Sequence, residues 1–242
     1  MCFTININIV REEMERRFGA TFAEPRRYEP AYYQNAFNLP ELPVIPMHDR
    51  EHIHLYRWGL IPSWTWDEEA AARLRTATFN ARAETIAEKP AFREPVKNKR
   101  CLVPVRGFYE WQDRNGRKIP WYIYLRDHRP FALAGLFDTW IHPVTGEENR
   151  TFSIITTRAN PMMERIHHPK HRMPAILPED AENAWLDTSL SMKELNELLQ
   201  PFPDAGMQAH TISGLINRRD ADRNVPDIIK PYSWEEDRGL FG

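Results

Sequence analysis

From residue 101 to residue 157 the chain runs through four β-type segments cut by turn chemistry, and this stretch decides the fold class. Residues 101–112, 120–126, 131–141 and 151–157 are rich in β-branched and aromatic side chains. Between them lie Asp113-Arg114-Asn115-Gly116-Arg117, Asp127-His128-Arg129-Pro130 and Pro143-Val144-Thr145-Gly146. Short connections of this kind join antiparallel neighbours, so an antiparallel meander is predicted, with Asn115-Gly116 as a hairpin turn.

The flanks are mixed. Ile5, Ile7 and Ile9 alternate with Asn6 and Asn8 as in a strand, and residues 11–18, closed by Gly19, read as a helix. Residues 26–46, rich in Pro, Tyr and Asn, read as one long loop. Residues 52–60 suggest a strand. Residues 80–87 and 91–97 read as short helices broken at Pro90 and Pro95. Helices are also predicted over 160–165, opening with Pro161, and over 178–187 and 191–199. The class is therefore α+β. No repeat or linker-like composition divides the chain, so a single domain over residues 1–242 is expected.

Charge and hydropathy exclude whole classes of function. The 32 Lys+Arg against 34 Asp+Glu leave a net charge of −2, which excludes a globally basic nucleic-acid coat; any such site must be local. The longest apolar run, Phe131 to Phe137, is about seven residues, against the roughly 18 a membrane span requires. The amino terminus lacks a basic segment followed by a continuous apolar one, so no signal peptide and a cytoplasmic location are expected. In such a reducing compartment Cys2 and Cys101 read as thiols.

Position makes Cys2 chemically distinctive. Removal of Met1 leaves an α-amine and a thiol on one residue. An α-amine with a pKa near ~7.8, against ~10.4 for lysine, is substantially neutral at pH 7. It attacks an aldehyde to form a Schiff base, and the neighbouring thiol closes on the imine carbon into a five-membered thiazolidine. An ordinary terminal residue packed under the core is the plain alternative.

Further chemistry clusters in three places. In Thr78-Phe79-Asn80-Ala81-Arg82-Ala83-Glu84-Thr85, Asn80 is either a helix cap or an amide donor to a substrate oxygen, and Arg82 suits a phosphate. In Arg106-Gly107-Phe108-Tyr109-Glu110-Trp111, alternation puts Phe108, Glu110 and Gln112 on one face. Glu110 is then a solvated strand carboxylate or, in a pocket, a proton shuttle with a raised pKa. In Ile166-His167-His168-Pro169-Lys170-His171-Arg172-Met173-Pro174, three imidazoles sit beside two fixed cations. No cysteine or acidic ligand cluster accompanies them, so they read as acid/base groups near an anion, and neither a metal nor a cofactor is expected. Most of the eight tryptophans belong to packing, while Trp64 and Trp111 are candidates to stack on unpaired bases.

Met1-Cys2, Trp58-Gly59-Leu60-Ile61-Pro62-Ser63-Trp64, Asn80-Ala81-Arg82-Ala83-Glu84-Thr85, Cys101-Leu102-Val103-Pro104 through Gly107-Phe108-Tyr109-Glu110-Trp111, and Arg172-Met173-Pro174 occur in an order that resembles the SOS response-associated peptidase (SRAP) family over roughly residues 1–230. The resemblance implies a compact α+β domain with a twisted antiparallel barrel-like sheet and short flanking helices. It implies a protein that senses abasic sites in single-stranded DNA and crosslinks to them through Cys2; a monomer is expected. Peptidase-like removal of Met1 and a lyase activity are further implications. Carried onto this chain, Cys2 is the nucleophile, Asn80 the amide steadying the adduct, Glu110 an acid/base group, and Arg82 a phosphate contact; Arg172, a fixed cation of the histidine loop, is expected as a second phosphate contact. The family's histidine usually lies two residues before the Arg of the Arg-Met-Pro segment, where this chain has Lys170. His167 is the chosen equivalent, with His168 and His171 as rivals. The family commonly begins Met-Cys-Gly-Arg; Phe3 and Thr4 here remove a cation and a flexible residue beside the nucleophile. Two other functions compete: an N-terminal-nucleophile glutamine amidotransferase, which would need an Asn-Gly oxyanion segment, and a non-covalent single-strand binder.

Overall fold

The computed structural model describes residues 2–234. Its strands, in chain order, are β1 Thr4–Asn6, β2 Thr21–Phe22, β3 Gln34–Asn35, β4 Glu41–Pro46, β5 His52–Trp58, β6 Asn80–Arg82, β7 Arg100–Val105, β8 Gly107–Arg114, β9 Arg117–Leu125, β10 Phe131–Ile141, β11 Glu148–Arg158, β12 Arg172–Pro174, β13 Ile176–Leu177 and β14 Met207–Thr211. The helices are α1 Arg11–Phe18, α2 Glu68–Ala77, α3 Pro95–Asn98, α4 Pro161–Ile166, α5 Glu182–Trp185 and α6 Met192–Leu198.

Strands β11, β10, β7, β4 and β5 follow one another as hydrogen-bonded neighbours, and β5 pairs back onto β11, closing a barrel. The closing pair is parallel, Arg57 opposite Thr151 and Trp58 opposite Phe152. A second sheet, ordered β14-β9-β8-β1-β3, packs against the barrel through a shared apolar core. The fold is the α+β, barrel-like one expected.

Several local expectations change. The predicted strand over 101–112 is two strands in different sheets, broken at Arg106. Gly107 permits the break: a Cβ there would come within 2.6 Å of the Tyr122 ring and 2.7 Å of the Ile123 carbonyl, so only glycine lets β8 start this close to β9. The meander survives as two hairpins, β8–β9 and β10–β11, but β10 pairs with β7 rather than β9. Asn115 and Gly116 form the β8–β9 turn, both with positive φ, 52° and 83°. The stretch expected as a loop over 26–46 contains β4, whose buried Leu42, Val44 and Ile45 face the core while Pro43 and Pro46 hide the strand signal. The helix expected from residue 80 begins as strand β6, parallel to β11, followed by a 3₁₀ turn over Ala83–Thr85. Tertiary pairing overrides local propensity there. By contrast, α1 has its predicted bounds, with Gly19 in the left-handed region (φ 63°) as its stop.

Arg100 fastens the helical flank to the barrel. Fully buried, it donates from Nε to the Trp185 carbonyl (2.7 Å) and from Nη1 to the carbonyls of Val96 and Lys97 (each 2.7 Å); Nη2 donates to the Asp187 carbonyl. Removing such a donor strands several buried acceptors at once. Arg100→Met should therefore lower unfolding stability by about 3 kcal/mol or more. A urea midpoint shift measures this, and an unchanged midpoint would contradict the assignment.

Candidate active site

Strand β1 lies between β3 and β8, with Ile5 opposite Phe108 and Asn6 opposite Gly107. Continued two residues further, this antiparallel register sets Glu110 alongside position 3, next to Cys2. Cys2 is fully buried, and its Sγ lies 3.8 Å from the Thr4 carbonyl. Burial first, and the Glu110 charge second, push the thiol above its ordinary range, so it is held as a neutral thiol. Phe3 packs on Phe37 and Phe79, with ring centroids 5.3 and 6.2 Å away. Thr4 Oγ1 accepts a hydrogen bond from Asn35 Nδ2 at 3.0 Å. Residues 3 and 4 thus pin the chain start where the resembled family has glycine and arginine.

Asn80 reaches Cys2 from the barrel side. Its Nδ2 donates to the Cys2 carbonyl at 2.9 Å, while its buried Oδ1 has no hydrogen-bond partner among the described residues. That oxygen is available to a hydroxyl or amine. The amide therefore works from a strand, not as a helix cap.

Glu110 and His167 face each other. Glu110 is 4 % exposed and His167 also 4 %, and Oε2 stands 3.5 Å from Nε2. Burial raises Glu110 to about 7, opposed by the positive charges of the amino terminus and Lys170. Burial, then the amino-terminal charge, lowers His167 to about 4. A carboxyl pushed up to about 7 beside an imidazole pushed down puts the pair's proton on Glu110 below that pH and keeps His167 neutral. His167 comes from the end of α4, whose first turn is capped by Asn160 Oδ1 accepting from the Met163 amide at 2.9 Å. Its Nδ1 lies 2.8 Å from the Arg172 carbonyl, which makes it the donor and leaves Nε2 as the acceptor facing Glu110. His168 and His171 are exposed and pack edge-on against each other at 5.0 Å. Of the three imidazoles, His167 is the one set against Glu110.

A cleft of about 480 Å³ approaches Asn80, lined among others by Trp64, Leu74, Arg82, Lys89 and Phe92. Arg82 is exposed and Trp64 is half exposed, at 50 %. Lys89 carries no signal in the sequence, as one lysine before a proline, until the fold brings it to the same cleft as Arg82. The structure does not bring the other two expected DNA contacts to this cleft. Trp111 points to the opposite face of β8 from Glu110, where its Nε1 donates to Asn217 Oδ1 at 2.8 Å. Arg172 is engaged by Glu84, at 2.6 Å, and by Thr156. Among the described residues no group of three or more His, Cys, Asp or Glu side chains could hold a metal, and no helix is long and apolar enough to cross a membrane.

Known proteins share this arrangement of sequence and fold. The chain is 38% identical over 213 residues to the abasic site processing protein YoqW of Bacillus subtilis, covering 87% of this chain and 90% of that protein. It is 31% identical over 253 residues to the abasic site processing protein HMCES of Gallus gallus, covering 91% and 72%. A crystal structure of a protein from Bacteroides thetaiotaomicron superimposes with a TM-score of 0.90 at 39% identity, covering 96% of this chain and all, 100%, of that one. The sequence profile of the family described as SOS response associated peptidase (SRAP) matches residues 1–219, and the chain belongs to that family.

Proposed function

We propose that this protein processes abasic sites in single-stranded DNA, capturing the lesion covalently through Cys2 once Met1 has been removed. The observation that carries the reading is that the half-satisfied amide of Asn80 both holds the Cys2 carbonyl and lines a cleft bearing Arg82 and Lys89, with the buried pair Glu110–His167 on the β8 side of the chain start.

The strand enters along the cleft with phosphates on Arg82 and Lys89 and a base against Trp64. The Glu110–His167 pair supplies a proton to the ring oxygen as the abasic sugar opens, exposing its aldehyde. The α-amine of Cys2 adds to the aldehyde carbon, and the carbinolamine loses water to become an imine. The thiol then adds to the same carbon: an S–C bond forms, the C=N π bond breaks, and the thiol proton ends on nitrogen. A thiol held neutral by burial suits this order, with the amine first. Asn80 Oδ1 is placed to accept from the amine or a sugar hydroxyl. The imine also permits elimination of the 3′ phosphate, a lyase side reaction. Met1 leaves through an aminopeptidase or through attack by the Cys2 thiol on the preceding carbonyl, in which the Met1–Cys2 C–N bond breaks to free the amine and water then hydrolyses the resulting thioester, releasing methionine and restoring the thiol; this is the peptidase step. The reaction requires one chain, no cofactor, and a compartment reducing enough to keep Cys2 a thiol.

Incubation of the purified protein with an abasic single strand should give a band that survives denaturing electrophoresis. Its mass should equal protein plus DNA less one water. No band from protein whose intact mass shows Met1 to be absent would overturn the proposal.

A further inference from the structure

Glu84 belongs to the Asn80–Thr85 motif, yet the reaction above gives it no part. It lies in the 3₁₀ turn that follows β6, the strand carrying Asn80. Its Oε1 accepts from Arg172 Nη1 at 2.6 Å. Arg172 Nη2 donates to the Thr156 carbonyl at 2.6 Å and to Thr156 Oγ1 at 3.0 Å. The third nitrogen, Nε, is buried, and the whole side chain is 11 % exposed. Three contacts of this guanidinium are thus made within the protein, to Glu84 and Thr156.

The backbone of Arg172 has a different task. Its carbonyl takes the Nδ1 proton of His167 at 2.8 Å and thereby sets which ring nitrogen faces Glu110. Thr156 is the pivot of the arrangement: in β11 it pairs with Arg82 of β6 on one side and with Pro174 of β12 on the other. One strand and its following turn therefore hold both halves of the site, Asn80 on Cys2 and Glu84 on the segment that orients His167.

We infer that Glu84 and Arg172 form a clamp that positions His167, fixing its ring orientation and tautomer. The inference rests on the proposed reaction for its kinetic consequence, while the tautomer itself is observable without DNA. Burial, the largest single influence, acts to raise the Glu84 carboxyl, but the Arg172 hydrogen bond, a backbone hydrogen bond and the charges of Arg172 and Arg158 together lower it, so the residue remains an anion at neutral pH.

The test compares wild type, Glu84→Ala and Glu84→Gln as full chains freed of Met1. Nitrogen-15 NMR of the His167 ring should report the Nδ1–H tautomer in wild type and a mixture in Glu84→Ala. Glu84→Gln keeps an acceptor for Arg172 and should stay close to wild type. Adduct formation on an abasic strand should slow about tenfold in Glu84→Ala and recover in Glu84→Gln. Affinity for an undamaged oligothymidine should stay equal or rise about twofold in Glu84→Ala, since an anion near the cleft is lost. Loss of oligothymidine binding in step with the rate would show that the pair acts through DNA contact and would overturn the inference, as would an unchanged tautomer. If wild type forms no adduct, the proposed function fails and the NMR comparison still decides the clamp.

Discussion

Cys2→Ala should abolish the heat-stable DNA adduct, by about a hundredfold or more, while leaving an imine that borohydride traps. Alanine after Met1 is still small enough for the initiator to be removed, so the variant keeps a free α-amine. That amine condenses with the aldehyde as before, but nothing then closes on the imine carbon, and water reverses the reaction. The durability of the wild-type product comes from an intramolecular second addition, and such closures carry effective molarities of about 10⁵ M and above. Parallel gels with and without borohydride separate the two steps. An undiminished heat-stable band from the alanine variant would remove the thiol from the mechanism.

Glu110→Gln should slow adduct formation by about 10²- to 10³-fold and change the shape of its pH profile. Burial holds the Glu110 carboxyl up at about 7, so the proton it shares with His167 is present below that pH and lost above it. The α-amine acts in the opposite sense, becoming nucleophilic as pH rises through ~7.8. Wild type should therefore pass through a maximum near neutrality, and the glutamine variant should lose the alkaline decline and rise monotonically. Unfolding can be excluded by sign. A carboxyl whose folded pKa lies above its unfolded one contributes stability at low pH that is lost as pH rises through the folded value. Glutamine removes that loss, so the variant should have an equal or higher urea midpoint at pH 8. A slow variant that retains the alkaline decline would take Glu110 out of the proton transfer.

Much of the site was readable because its residues lie in contiguous motifs. Alternation along residues 107–112 correctly separates Glu110 from Trp111, and strand β10 and helix α1 have the bounds their sequences indicate. What could not be read depends on partners remote in the chain. The strand character of β6 comes from parallel pairing with β11, more than seventy residues away, as in Ile154 opposite Asn80. The split between β7 and β8 depends on the room that Gly107 leaves for Tyr122 and Ile123. The employment of Arg172 by Glu84 is likewise invisible locally, because a cation near a histidine looks the same whether it faces DNA or a carboxylate. Position alone picks His167 from its rivals, since composition does not distinguish three imidazoles in one loop.

The insertion of β1 between β3 and β8 also sets a timetable for the newborn polypeptide. The surroundings of the buried Cys2 are built from segments far along the chain: a strand ending at Arg114, an imidazole at 167 and an amide at 80. Until residue 167 has been made, the chemistry proposed for Cys2 lacks the imidazole of its buried pair, and it waits on more than two thirds of the sequence.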